Sequence, residues 1–308
     1  MSYFYGPVPS RRLGFSLGVD LFPKKICSFD CVYCQLGRLP ATTQERFSCV
    51  DMRAFKSELK TIIKKNPKID YISLSGSGEP TLHRHLDTII ATIKKVTRYR
   101  YPVCVITNSS LLYREDVRRE LKEADVVVPS LDAASSETFY KINRPYPGIT
   151  LEQVVDGLFR FRKVFKGSIW LEIMLVAGYN DSLAQARLFS EIVKKLRPEK
   201  VQLNLPVRPA TSAIKLPSFR RIEAIRKIIG LRTEIVASCH KETQRKLICT
   251  PEKAIITFLR RRPATLEDLR NSLGMTKSNV GAILSELLMH KKIKARVYLG
   301  KKHFGIYD

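Results

Sequence analysis

The sequence predicts an α/β protein carrying a small second domain, on two observations. Between about residues 50 and 240, short β-rich runs alternate with longer amphipathic segments, and near Thr250 the pattern turns helical. The predicted strands, in order, are Ile69–Ser75, Val103–Asn108, Val126–Asp132, Ile169–Gly178, Val201–Pro206 and Thr233–Ser238. Helical segments separate them. Asp51–Lys65 sets Phe55, Leu59, Ile62 and Ile63 on one face, and Thr150–Val164 opens with Thr150 and Gln153 at capping-box spacing. Strands joined by helical crossovers pair in parallel, so a mostly parallel sheet is expected.

After Thr250, helices are predicted at Pro251–Arg262, Leu266–Leu273 and Lys277–Lys291, then a hairpin of Ile293–Leu299, Gly300 and His303–Tyr307. Thr265 and Thr276 are N-cap residues, and Gly274 suits the tight turn of a helix-turn-helix. Three helices and a basic hairpin resemble a winged-helix domain. The expected domains are therefore 1–240 and 250–308, with the boundary between Ser238 and Thr250.

Charge is the strongest compositional signal. The 308 residues hold 54 Lys and Arg against 29 Asp and Glu, a net charge of +25. A field of that size attracts polyanions, RNA or DNA first, although a solvated lysine-rich surface gives the same count. Apolar residues make up 44%, enough for a sizeable core. No apolar run approaches the roughly 18 residues of a membrane span, and Met1–Pro7 does not read as a signal peptide. Seven cysteines, an odd number in a long chain, read as reduced thiols of a cytoplasmic protein.

Three of those thiols crowd into Cys27-Ser28-Phe29-Asp30-Cys31-Val32-Tyr33-Cys34, a C-x3-C-x2-C spacing. Soft thiolates in one loop suit iron–sulfur or zinc. Structural zinc sites usually close at four ligands from two thiol pairs. Three local thiols leave one metal position open, which serves a cluster that must bind a further ligand. Downstream of a predicted strand stands Ser75-Gly76-Ser77-Gly78-Glu79-Pro80-Thr81, a turn whose glycines allow close backbone approach and whose Glu79 offers an acceptor. It lacks the third glycine of a dinucleotide fingerprint.

With these two motifs the chain resembles the radical S-adenosylmethionine (SAM) superfamily, whose pattern the aromatic Tyr33 before the last cysteine also fits. The resemblance implies a partial (β/α)6 TIM-like barrel and a [4Fe-4S] cluster on Cys27, Cys31 and Cys34. It further implies SAM on the open iron, reductive cleavage to a 5′-deoxyadenosyl radical, and an electron donor such as flavodoxin or ferredoxin. The tripeptide Ser77-Gly78-Glu79 would meet the methionyl amino group, with serine in place of the usual first glycine. Asn108, Ser130 and Asp132 would meet the ribose and carboxylate, with Tyr33 also beside the cofactor. Polar residues recur at the ends of later strands, including Asn180, Asp181, Asn204 and Arg208, where parallel α/β folds hold ligands. Alternation leaves Glu172 free to face into the barrel or away from it.

The segment Tyr5–Asp20, containing Gly-Pro-Val-Pro-Ser-Arg11-Arg12, is similar to the signature of a clade grouped with wyosine-type tRNA-modifying radical enzymes. Those carry a second cluster, for which no cysteine precedes Cys27 here. Arg11 and Arg12 suit a phosphate or carboxylate, or surface ion pairs. Cys104 reads as a buried strand residue, Cys49 as isolated, and Cys239 and Cys249 as thiols flanking the domain boundary. In the C-terminal domain, Lys277, Ser278 and Asn279 start the third helix, and Lys294, Arg296, Lys301 and Lys302 give the hairpin its charge. The expected function is a radical enzyme modifying RNA, with tRNA as first candidate. The alternatives are radical chemistry on a peptide, protein or small metabolite, or a cluster-containing transcriptional regulator.

Overall fold

The computed structural model describes residues 2–210, 212–230, 232–236 and 250–306. An N-terminal hairpin of β1 (Phe4–Ser10) and β2 (Gly14–Val19) leads into α1 (Met52–Lys64) and β3 (Tyr71–Leu74). Then come α2 (Leu86–Thr97), β4 (Val103–Thr107), α3 (Glu115–Glu120), β5 (Val126–Pro129), α4 (Ser136–Asn143) and α5 (Leu151–Val164). β6 (Ser168–Met174), α6 (Leu183–Leu196), β7 (Lys200–Asn204), α7 (Phe219–Ile229) and β8 (Thr233–Ile235) complete the set. All eight strands form one sheet in chain order, antiparallel between β1 and β2 and parallel from β2 to β8. β2 to β7 are each followed by helix, which makes six strand–helix units. Among the described residues no pairing joins β8 to β1, so the barrel is open along that side.

Local chemistry explains most boundaries. Asp51 caps α1 by accepting from the Arg53 and Ala54 N–H groups, and Phe55, Leu59 and Ile62 are buried beneath it. Thr150 and Gln153 form the expected capping box of α5, a device that stabilises by about 1 kcal/mol. Several strands stop short of their predicted ends. Pro129 closes β5 and Met174 closes β6, and the remaining polar residues turn out over the carboxyl rim of the sheet. The sequence hides β1, because Pro7 and Pro9 read as loop residues, and β2, whose Gly14 and Gly18 break the pattern. β1 tolerates them as the edge strand, where a missing N–H breaks no ladder on the outer side.

The C-terminal unit holds α8 (Pro251–Leu259), β9 (Ala264–Thr265), α9 (Leu266–Leu273), α10 (Lys277–Met289), β10 (Lys294–Tyr298) and β11 (Lys301–Gly305). α8 ends before the predicted Arg262, and α10 before Lys291. Thr265 and Thr276 are N-caps as expected, and Gly274 ends α9 in the left-handed region. β9 carries no sequence signal, since its two residues pair only with His303 and Phe304 far along the chain. The unit's own core of Ile255, Phe258, Leu269, Val280 and Leu284 takes in Val8 from β1, so α8 and α9 pack along the edge of the barrel sheet. The predicted boundary, with Cys239 and most of the interval to Thr250, lies outside the described residues, as does Cys249.

Candidate active site

The sheet alternates with period two. Leu17, Ile72, Leu74, Leu171, Ile173, Val201 and Leu203 belong to the apolar core beneath the helices. Ser16, Ser73, Glu172, Gln202 and Asn204 stand between them, buried and polar. Ser16 and Ser73 hydrogen-bond at 2.7 Å, and Asn204 Nδ2 donates to Glu172 at 3.2 Å. Arg12, from the β1–β2 turn, forms an ion pair with Glu172. Glu172 is therefore held by side chains on its own sheet face.

The cysteine loop lies between β2 and α1 and is fastened on both flanks. On one flank, Ile26 N–H donates to Ser77 O at 3.0 Å and Glu79 N–H donates to Ile26 O at 3.0 Å. A Cβ on Gly78 would fall 1.9 Å from Ile26 O, so only glycine fits this seam. On the other flank, Val32 N–H donates to Ile142 O at 2.9 Å, Asp30 N–H to Asn143 O at 3.1 Å, and Tyr146 N–H to Ser28 O at 2.8 Å.

Side chains finish the cradle. Asn108 Nδ2 stands 2.9 Å from Ser28 Oγ and 3.5 Å from Cys27 Sγ, while Asn143 Nδ2 stands 2.9 Å from Asp132 and 3.5 Å from Cys31 Sγ. Tyr33 donates a short hydrogen bond to Asp132. Glu79 is buried, and its carboxylate accepts from Thr81 N–H, Thr81 Oγ1, Thr107 Oγ1 and Asn108 N–H at 2.6–3.0 Å. Its side chain thus ties the ends of β3 and β4 together. Ser77 donates to Asp20 from its N–H at 3.0 Å and its hydroxyl at 2.7 Å. Ser130 lies at the carboxyl rim beside Glu172, its hydroxyl without a hydrogen bond among the described residues.

Burial dominates the electrostatics. It pushes the Cys27 thiol up to about 12, aided by the charge of Glu79. Cys31 rises well above the usual thiol range for the same first reason, with Asp132 adding to it. Asp132 is itself pushed up to about 6 by burial, against the hydrogen bonds it accepts from Tyr33, Met174 N–H and Asn143. Thiols so placed give up protons to a metal rather than to water. Among the described residues no three Cys, His, Asp or Glu side chains converge on a single metal ion.

A profile of the Radical SAM superfamily matches residues 22–188, which contain the thiol loop and the Ser77–Glu79 turn. The chain belongs to the radical SAM superfamily. It is an enzyme of that class, whose members use a [4Fe-4S] cluster and SAM. A UPF0026 protein of Methanocaldococcus jannaschii is 38% identical over 77% of this chain and 73% of its own length. "GTPase Obg" of Brachyspira hyodysenteriae is 37% identical over 98% of this chain, yet the chain spans only 45% of that longer protein. The GTPase name stays with that protein, since this sequence has no G-x4-G-K-[ST] phosphate loop. A "Probable dual-specificity RNA methyltransferase RlmN" of Thermotoga petrophila is 25% identical over 68% of this chain and 61% of its own. Among solved structures, "TYW1 with a lysine-pyruvate adduct bound" superposes with a TM-score of 0.54, covering 73% of this chain and 75% of that one at 16% identity. That likeness establishes the fold.

Tyr33, Ser77, Gly78, Glu79, Asn108 and Asp132 lie in or against this cradle, and Ser130 stands at the carboxyl rim opposite Glu172. The sequence did not reveal Asp20, Ser28 and Asn143. Asp20 follows β2, a strand the hydrophobic pattern did not reveal, and Asn143 ends a helix, where asparagine is ordinary. Cys104 is buried in β4 and Cys49 is exposed, both apart from the loop. A cavity of about 660 Å³ opens beside α3, but Arg46, Arg114, Asp116 and Glu120 in its wall pair with one another.

Proposed function

We propose that Cys27, Cys31 and Cys34 hold the [4Fe-4S] cluster, and that the enzyme modifies RNA, tRNA being the first candidate. Bound together, the cluster and SAM would supply radical chemistry capable of abstracting hydrogen. The chain's own residues orient and shelter that chemistry. The Ser77-Gly78-Glu79 turn would receive the methionyl amino group. Asn108, Ser130 and Asp132 address the carboxylate and ribose, and Tyr33 fixes the Asp132 carboxylate. Because Glu79 already accepts four hydrogen bonds from the protein, its part is to hold the turn in place.

One observation carries the RNA reading: the basic hairpin stands at the barrel. Tyr298 Oη, on β10, donates to Pro206 O just beyond β7 at 2.9 Å, and the same hairpin carries Lys294, Arg296, Lys301 and Lys302, charges suited to phosphate. The net charge of +25 and the similarity to an RNA methyltransferase support the same reading. We read residues 1–240 as the radical SAM core and 250–308 as a winged-helix unit that holds the nucleic acid. Flavodoxin or ferredoxin in a reducing cytoplasm would supply electrons. No helix among the described residues is long and apolar enough to cross a membrane.

The anaerobically reconstituted protein with dithionite should release 5′-deoxyadenosine from SAM, and Cys27→Ala, Cys31→Ala and Cys34→Ala should not. Modified nucleosides in tRNA from a deletion strain should lack at least one species present in the parent. An unchanged profile would count against RNA and favour a peptide or metabolite substrate.

A further inference from the structure

We infer that Arg11, Arg208 and Arg262 form a binding site for a phosphate group of the substrate, at the seam between the barrel and the C-terminal unit. The three come from separate stretches of chain: the β1–β2 turn, the loop beyond β7, and the segment after α8. The proposal rests on the RNA reading for the identity of the substrate and on the geometry below for the site itself.

Charge balance is the first argument. Arg12 stands in the same group but is neutralised by Glu172. The other carboxylate within electrostatic reach is Asp268, which accepts from Thr265 N–H at 3.0 Å through one oxygen, offsets part of the charge of Arg208 and Arg262, and forms an ion pair with neither. Four guanidinium groups therefore face two carboxylates. The side chains of Arg11, Arg208 and Arg262 make no hydrogen bond or ion pair with the described residues. Arg262 is held instead by its position 4.4 Å over the Phe258 ring, which orients the group without neutralising it.

Burial is the second. All three are only partly exposed. Burial first, then Arg208 and Arg12 for Arg11, and Arg208 and Arg11 for Arg262, lower their hold on the proton. A guanidinium keeps its proton all the same, so the repulsion persists until an anion arrives. Nearby His303 is pushed down by burial and stays neutral, adding no charge of its own.

Chemistry selects the anion. Three planar forks from different elements, close enough to repel one another, would match the several oxygens of a tetrahedral phosphate better than the two of a carboxylate. The site is bordered by Arg12 and Glu172 on the barrel side and by the Tyr298–Pro206 contact on the hairpin side. A phosphodiester held there would lie between the basic hairpin and the barrel, with its nucleoside directed to the polar sheet face.

The test uses the full-length, cluster-loaded chain. Inorganic phosphate should raise the Tm of the parent. Arg208→Gln and Arg262→Gln should each remove that rise, and Arg208→Gln should melt no lower than the parent in phosphate-free buffer, because it relieves repulsion. A purely structural arginine would instead lower Tm there. With a fluorescent oligoribonucleotide, each variant should bind about tenfold more weakly, with the log–log salt slope reduced by roughly one. Lys302→Ala should weaken oligonucleotide binding and leave the phosphate-induced rise intact. Arg208→Lys, which keeps the charge, should retain part of the rise and guards against misreading a folding defect. A phosphate response that survives in both glutamine variants overturns the site, whatever happens to RNA. If the response is lost while oligonucleotide affinity is unchanged, the site stands and the RNA reading fails. A nucleoside 5′-monophosphate, tested in the same melts, then identifies a small phosphorylated substrate.

Discussion

Arg261 and Arg262 leave α8 side by side and enter two regions that differ in how they treat charge. Arg261 is buried and fully engaged: it pairs with Asp20 at 2.9 Å, donates to Thr257 O and Ser2 O, and lies over the Tyr5 ring. Through Asp20 it reaches Ser77, so the C-terminal unit is wired to the turn that borders the thiol loop. Arg262, one residue later, has Arg208 and Arg11 as neighbours and only Asp268 as a nearby carboxylate, with which it forms no ion pair. The cradle around the cysteines is a satisfied network, and such networks fix geometry. The seam is an unsatisfied one, and its charges await a ligand. Proximity to the barrel does not separate the two regions; the partnering of their polar atoms does.

Breaking the satisfied region should have the largest effects. Arg261→Ala leaves buried Asp20 unpaired and should destabilise the fold by about 3–5 kcal/mol. It should also weaken SAM binding through Ser77, and denaturant titration with equilibrium dialysis would measure both. If the C-terminal unit merely rests on the barrel, the loss will stay under about 1 kcal/mol. Next comes Gly78→Ala, which drives a methyl into Ile26 O. A loss of about 1–3 kcal/mol is expected, together with reduced iron per chain after reconstitution.

Outside both regions the effects should be small. Gly281, within α10, has open space around it, its nearest neighbour being Leu266 Cδ1 at 3.9 Å. Gly281→Ala should therefore stabilise by about 0.5–1 kcal/mol. The smallest effect concerns Asp116, whose carboxyl is held well below the usual range by hydrogen bonds from Arg114 and then Arg46. A depressed folded pKa gives stability that is present above the unfolded value and lost as pH falls. Parent and Asp116→Asn should therefore differ by less than about 1 kcal/mol near neutrality, the gap beginning to close as pH falls through about 4 and closing fully only in stronger acid. A gap that persists in acid would mean the pair is not what Asp116 contributes.

The sequence alone determined the chemistry and most of the layout. Thiol spacing, the glycine turn and the capping signals at Thr150, Thr265 and Thr276 are local, because each depends on residues a few positions apart. Hydrophobic period located six of the eight strands for the same reason, and missed β1, whose prolines only an edge position permits, and β2, whose glycines interrupt the pattern. Tertiary structure decided the rest. It set Glu172 against Arg12, tied Glu79 to Thr107 and Asn108, and brought Arg11, Arg208 and Arg262 to one seam. Those contacts join residues far apart in the chain, and no periodicity or spacing encodes a distance that only packing sets.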